Sequence, residues 1–298
     1  MTFQNINLGS DTIKRSTRFA FLLAGFSMAA WAPLVPFAKD RANLNSGELG
    51  ILLLGLGVGS CLTMPLTGIL VNRIGCKNVY ALATVLIILT LPFLTLFSSF
   101  FLLLITLTLF GAGVGMADCV VNIQAIKVEN ASKENLMSGF HGFFSLGNVV
   151  GAAGITGLIS FGLSPLMAII FGVIIITIIF LLSYQNCLAK VISDSTSAKF
   201  SLPSGILLFL GILSFIGFLL EGAMLDWSAV FLVEEKQLAT EYAGWGYVIF
   251  AMTITISRLS GTLLLKKFDY RNIITVGSLI AITGLLISIY ATDLILVF

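Results

Sequence analysis

The stretch 110-FGAGVGMADCVVNIQAIKVENASKENLMSGFHGFFSLGNVVGAAGITG-157 decides the fold of this chain. Two apolar segments are joined by a short charged hinge, and both carry polar residues at helical spacing. In the first, Gly111, Gly115, Asp118 and Asn122 recur every three or four positions, which puts them on one helical face. In the second, Ser138, His141, Ser145, Asn148 and Ala152 do the same. Each segment is otherwise apolar enough to cross a bilayer. An ionisable residue turned to lipid there costs at least ~2.5 kcal/mol, so it belongs against protein or a water-filled cavity. The expectation is two helices presenting polar stripes to a common interior.

The rest of the chain has the same character. Of 298 residues, 58% are hydrophobic and 10% charged, with a mean hydropathy of +1.06. Soluble domains carry about 25% charged residues. Apolar runs of roughly 20 residues, the length that spans a hydrocarbon core, recur almost end to end. Ten-residue alternating segments of the transmembrane β-barrel kind are absent. The fold class is therefore all-α, a polytopic membrane helical bundle, with the lipid bilayer as its surroundings. A net charge of +2 gives no sign of a nucleic-acid partner. The four cysteines, Cys61, Cys76, Cys119 and Cys187, have no paired spacing and read as small hydrophobes. With one histidine and no thiolate pair, neither a metal site nor a cofactor is expected.

Spans are predicted near 19–37, 49–71, 79–97, 100–124, 137–160, 163–184, 204–231, 243–265 and 273–292, with a further apolar start at 294–298. The polar connection 185–203 divides the chain into a cytoplasmic tail (1–18), a six-span half (19–184), a linker, and a partial second half of about three spans (204–298). Loop charge supports this alternation. Thirteen of the sixteen Lys and Arg fall on the side of the tail, and only Lys39, Arg41 and Lys236 on the other. The bias places the N-terminus in the cytoplasm. A weak internal repeat joins the halves: Gly68 to Lys77 closes the second span, and Arg258-Leu-Ser-Gly261 with Lys266 and Lys267 closes the eighth.

Gly68-Ile-Leu-Val-Asn72-Arg73-Ile-Gly75-Cys76-Lys77 resembles the loop between the second and third helices of the major facilitator superfamily, usually G-x-x-x-D-R-x-G-R-R/K. Here Asn72 replaces the aspartate and Cys76 the first basic residue, so an ion pair in that loop is lost. The resemblance extends to a bacterial inner-membrane subgroup distantly akin to fucose permeases. It is carried by Gly25, Trp31, Leu49-Gly50, Asp118, Asn122, Gln124, Glu129, Met137, His141, Ser145, Gly147, Gly151 and the run Glu221-Gly-Ala-Met-Leu-Asp226-Trp-Ser228. It implies a twelve-span transporter, of which this chain looks like the first nine. It also implies an acidic residue on the fourth helix that couples transport to protons. The fourth span has no arginine, and the glycine series Gly147, Gly151, Gly154, Gly157 lacks a Gly-Pro pair; both features set the chain apart from proton-coupled drug exporters.

The candidate pathway residues are Asp118, Asn122, His141, Ser145, Asn148 and Glu221. Asp118 reads as a coupling carboxyl or as a structural acid bonded to a neighbouring helix. Asn122, one turn on, either orients Asp118 or a solute hydroxyl, or ties helices together. His141 either gates protons near neutral pH or sits solvated beside Glu134 at the start of its helix. Glu221 is the candidate from the second half. Asn72, Arg73, Gly75 and Arg258 read as cytoplasmic docking or gating positions, Arg258 at the inner end of its helix. Asp226 reads as structural or as an outer gate. Trp31, with Pro33 and Pro36, either breaks the first helix for a solute or a gate, or is an aromatic-belt residue beside a kink.

Three functions compete. The first is a secondary active transporter of a small polar solute, possibly sugar-like, working by alternating access with proton coupling. The second is a truncated, non-transporting membrane fragment, whose three-span second half would leave the cavity open to lipid. An intramembrane enzyme is the third, and it lacks G-x-S-x-G, H-E-x-x-H or paired carboxylates on one helix. No filter-like segment suggests a channel.

Overall fold

The computed structural model describes residues 9–189, 204–265 and 267–297. Among them there is helix and turn and no strand. Seven helical stretches are long and apolar enough to cross a membrane. In order the helices are α1 (Asp11–Ala29), a 3-10 turn (Ala32–Leu34), α2 (Val35–Ala42), α3 (Ser46–Leu96), α4 (Phe100–Ser132), α5 (Met137–Ser160), α6 (Pro165–Tyr184), α7 (Ile206–Glu234), a second 3-10 turn (Thr240–Tyr242), α8 (Trp245–Leu265), α9 (Tyr270–Tyr290) and α10 (Leu294–Val297). At ~1.5 Å per residue α3 would be over twice the thickness of a ~30 Å hydrocarbon core. It is two helices merged at Gly75, whose φ of 85° and ψ of 160° break the run. The two spans expected at 49–71 and 79–97 thus meet at a single glycine, not across an open loop. The first expected span, 19–37, differs more: α1 begins at Asp11 and ends before Trp31, and Pro33 and Pro36 open the next two short helices. The expected linker lies mostly in residues 190–203, outside the described residues.

Local signals explain the helix ends. Asn45 and Glu48 form a capping box at the start of α3, each side chain accepting the other's backbone N–H at 2.9 Å. Glu129 Oε2 accepts the N–H groups of Leu136 and Met137, both at 2.7 Å, and so ties the end of α4 to the start of α5. Arg41 donates to the carbonyls of Leu94 (2.6 Å) and Phe97 (2.9 Å) at the end of α3. Lys236 donates to Ile289 (3.0 Å) and Ala291 (2.7 Å) at the end of α9. Cations at helix C-termini meet the negative end of the dipole. Lys39 pairs with Glu234. All three basic residues of the sparse side are therefore occupied in fastening helix ends.

Glycines set the packing. A Cβ on Gly59 would meet the Thr108 carbonyl oxygen at 2.0 Å, and one on Gly111 the Leu56 carbonyl oxygen at 2.1 Å, so α3 and α4 touch backbone to backbone. A Cβ on Gly25 would lie 2.0 Å from the Phe144 oxygen, and one on Gly147 2.3 Å from that of Leu22, which fixes α1 against α5. Gln124, buried in α4, donates to Thr17 of α1 at 2.9 Å and accepts from the Leu188 N–H at 3.2 Å. Its role is cross-bracing. On α6, α7 and α9, by contrast, Leu, Ile and Phe side chains stand exposed along the surface, as a lipid-facing helix requires.

Candidate functional site

The two polar stripes part at the glycines and meet at Asp118 and His141, which lie within electrostatic reach of each other. Gly111 and Gly115 of α4 press against Leu56 and Ser60 of α3, and Ser60 Oγ donates to the Gly111 carbonyl at 2.7 Å. The α5 stripe instead meets α8. Small residues on α4 supply the reason: the glycine face admits the backbone of α3, its sequence neighbour, to close contact.

On α8, Tyr247, Ala251, Thr255 and Arg258 recur at spacings of 4, 4 and 3 and form one face. That face runs against the α5 stripe. Ala152 packs with Tyr247, Val248 and Ala251. The Ser145 carbonyl accepts from Thr255 Oγ1 at 3.5 Å, and Ser145 Oγ from Arg258 Nη1 at 2.9 Å. Arg258 Nη2 also reaches both carboxylate oxygens of Glu221 on α7, at 3.0 and 3.2 Å. One guanidinium thus links α5, α7 and α8. The fork geometry of arginine suits this, since it directs separate N–H groups at the two partners.

Below this link a cavity of about 220 Å3 is lined by Ser138, His141, Gly142, Arg258 and Leu259. His141 lies exposed at its edge, packed edge-on against Phe21 at 5.3 Å, and within electrostatic reach of both Asp118 and Arg258. Glu134, expected beside it, is instead paired with Lys14 at 2.8 Å. Asp118 is half-buried, and Asn122 Nδ2 donates to its Oδ1 at 3.3 Å and to its carbonyl at 2.9 Å. Asn148 is buried with its Oδ1 unpartnered.

Arg258 lies seven residues before the end of α8, about 10 Å inside it, and joins α8 to Glu221 of α7 and Ser145 of α5. The α8 stripe was available as a signal, since Tyr247, Thr255 and Arg258 share a face. Asn72 and Arg73 are exposed beside the Gly75 break, and Lys77 carries the link from that loop to the end of α6. Its N–H donates to the Leu188 carbonyl at 2.9 Å and its ammonium stands 4.5 Å over the Tyr184 ring. Trp31 is fully buried, which overturns the aromatic-belt reading; the helix break beside it is present.

At the opposite end from the cavity the helices close. A Cβ on Gly244 would meet Thr156 Oγ1 at 2.3 Å and Pro33 Cβ at 3.0 Å. Ser160 Oγ donates to the Glu241 carbonyl at 2.9 Å and accepts from Trp245 Nε1 at 3.3 Å. Just beneath, Asp226 on α7 has a fully covered Oδ1 with no hydrogen-bond partner among the described residues. Among those residues no three His, Cys, Asp or Glu converge in a way that could hold a metal.

A helical bundle of membrane length, with charged groups gathered at the junction of α5, α7 and α8, defines a polytopic membrane transporter. The chain belongs to the Major Facilitator Superfamily, whose family model matches residues 18–298. It is 45% identical over 274 residues to an uncharacterized MFS-type transporter of Yersinia pestis, covering 92% of this chain and 71% of that one. It is 30% identical to the uncharacterized transporter y4wD of Sinorhizobium fredii, covering 95% and 76%. Its fold is similar to the nucleoside transporter NupG (D323A mutant), with a TM-score of 0.62 and 15% identity over 87% of this chain and 67% of that one. These relatives are transporters, not enzymes.

Proposed function

We propose that this chain is a secondary transporter that moves a small, uncharged polar solute, sugar-like in its hydroxyl chemistry, by alternating access coupled to protons. The observation that carries the reading is the Arg258 link, an ionic contact made inside membrane-length helices between α5 and the α7–α8 pair. Such a contact has two states, made and broken, and breaking it frees α5 from α7 and α8. On this reading residues 19–184 and 204–298 act as two bodies that rock about it. Arg258 is committed to Glu221, and hydroxyl groups suit Ser145, Asn148 and Asn122. Asp118 is the foremost coupling carboxyl, being held by a neutral amide rather than a cation. The N-terminus lies in the cytoplasm of a bacterial inner membrane, by the excess of Lys and Arg on its side.

The test is uptake by proteoliposomes containing the purified chain, screened with monosaccharides and nucleosides while external pH is followed. The expected result is that one solute class alkalinises the medium and that Asp118→Asn abolishes the signal. If no solute moves, transport is refuted; uptake indifferent to an imposed proton gradient removes the coupling.

A further inference from the structure

We propose that Tyr247 is a specificity-determining residue which, together with Asn148, reads two hydroxyl groups of the carried solute, and that this solute is a neutral polyhydroxy compound. The inference deepens the transport reading and rests on it for the solute's being carried.

Asn148 stands on the α5 stripe between Ser145 and Ala152. Both of these meet α8. Ser145 receives Thr255 and Arg258, and Ala152 packs with Tyr247, Val248 and Ala251. The part of α8 opposite Asn148 therefore runs from Ala251 to Thr255. Ala251 offers only a methyl group. The Thr255 hydroxyl is spent on the carbonyls of Ala251 and Ser145, at 2.7 and 3.5 Å. Asn148 is 5% exposed, and its amide makes no hydrogen bond among the described residues. Tyr247, one turn from Ala251 on the same face of α8, is 2% exposed, with its ring held against Phe250 at 6.3 Å between centroids. Its hydroxyl also has no hydrogen-bond partner among the described residues, although Glu221 and Arg258 lie within its electrostatic reach.

Buried side-chain polar groups nearly always find a partner, the tyrosine hydroxyl among them. Asn148 and Tyr247 are exceptions, one on α5 and one on α8, on faces that meet. What would satisfy them follows from their chemistry. The Asn148 Oδ1 only accepts, so it needs an O–H or N–H; the Tyr247 O–H can donate to an oxygen. Neighbouring hydroxyls of a polyol supply both, since each has a proton to give and lone pairs to share. A carboxylate has no proton to give. It would leave Oδ1 unmet and would stand within reach of Glu221. While α5 and α8 are closed on each other both groups go unmet; when the helices part, a solute hydroxyl takes each. A site built this way rejects an analogue that lacks the hydroxyl.

The experiment titrates the purified full chain in nanodiscs with D-glucose, D-xylose and D-ribose by calorimetry, then with each single-deoxy form of the sugar that binds best. In the parent one deoxy form should bind about tenfold more weakly, the loss of one hydrogen bond. Tyr247→Phe should bind the full sugar about tenfold more weakly and no longer tell it from that deoxy form. Its unfolding temperature should be unchanged or higher, because an unmet hydroxyl has been removed. Asn148→Leu should lose discrimination at a different hydroxyl. A Tyr247→Phe chain that discriminates as the parent does overturns the proposal, and so does a parent that binds none of the three sugars. A Tyr247→Phe chain that fails to fold shows a structural hydroxyl and overturns it too. Uptake into proteoliposomes is measured alongside. Binding with the expected discrimination but no uptake refutes the transport reading and leaves the hydroxyl pair standing; uptake that Tyr247→Phe leaves unaltered refutes the pair and keeps transport.

Discussion

Removing Arg258 should cost more than removing Glu221, and removing both should cost less than the two losses together. The pair meets at 3.0 and 3.2 Å. At an effective dielectric constant of ~20, two unit charges at that separation attract by about 5 kcal/mol. Solvent reduces this, because the Arg258 side chain is 40% exposed and that of Glu221 22%. Exposed pairs contribute ~0–1 kcal/mol, whereas breaking a fully buried one costs ~3–5 kcal/mol. This pair lies between, so a coupling energy of about 1.5 kcal/mol is expected. Asymmetry follows from reach. In Glu221→Gln the freed guanidinium keeps Ser145 and, being long, can extend to water. In Arg258→Ala the shorter carboxylate stays behind in α7 without a cation. The assay is a double-mutant cycle on SDS-induced unfolding in mixed micelles, with Arg258→Ala, Glu221→Gln and the double variant. Single losses that add to the double loss within about 0.3 kcal/mol would show that the link is only geometric proximity. The role given to Arg258 would then fail.

Gly25→Val should destabilise the chain by about 1–3 kcal/mol or more, because its Cβ would meet the Phe144 carbonyl oxygen at 2.0 Å and the Asn148 nitrogen at 3.1 Å, and helix backbones cannot yield as side chains do. Gly154→Val on the partner helix α5, where nothing lies within 4 Å, is the control; equal unfolding curves for the two would refute the backbone contact. Cys187, beyond the end of α6, is covered, and burial pushes its thiol up to about 11 against the opposing pull of the Gln124 contact and Lys77. It stays neutral below that value, so at pH 8 about one molecule in a thousand carries the thiolate, and alkylation by iodoacetamide should be at least tenfold slower than at a solvated cysteine. Mass spectrometry of the labelled peptide checks this, and fast modification at pH 8 would show that the loop after α6 does not pack as described.

Much of the fold was legible because membrane helices are written in residue type over long windows. The bounds of α5, Met137–Ser160, coincide with the expected span, since Glu129 and the polar hinge mark its start and Gly162 its end. The glycine spacing of α4 and α5 likewise announced close contacts. The partner was not legible. A 4-3 spacing says that Gly111, Gly115 and Asp118 share a face, and it says nothing of which helix covers that face. Here α3 does, as its own Gly55 and Gly59 present a matching groove to Leu104 and Thr108. The glycine part of the α4 stripe therefore faces α3, while Asp118 further along stands within reach of His141 on α5. Trp31 was misjudged on similar grounds: an aromatic beside prolines at a span end suits the lipid interface, yet the 3-10 turn after it folds the ring into the core.

Charge was the harder signal, because its meaning depends on what answers it. Arg258, Glu221 and Asp226 are each an ionisable residue in an apolar segment, and composition treats them alike. The structure separates them by partner. Arg258 and Glu221 answer each other's charge across two helices. Asp226 is five residues from Glu221, roughly 140° round the same helix, and that turn carries it past the reach of Arg258 into the closed layer. A rotation of a few residues along α7 thus decides which carboxyl meets the arginine and which does not. It is also why a site built from one helix's sequence had to stop short: the arginine that settles the roles of α7 comes from α8, thirty-seven residues on.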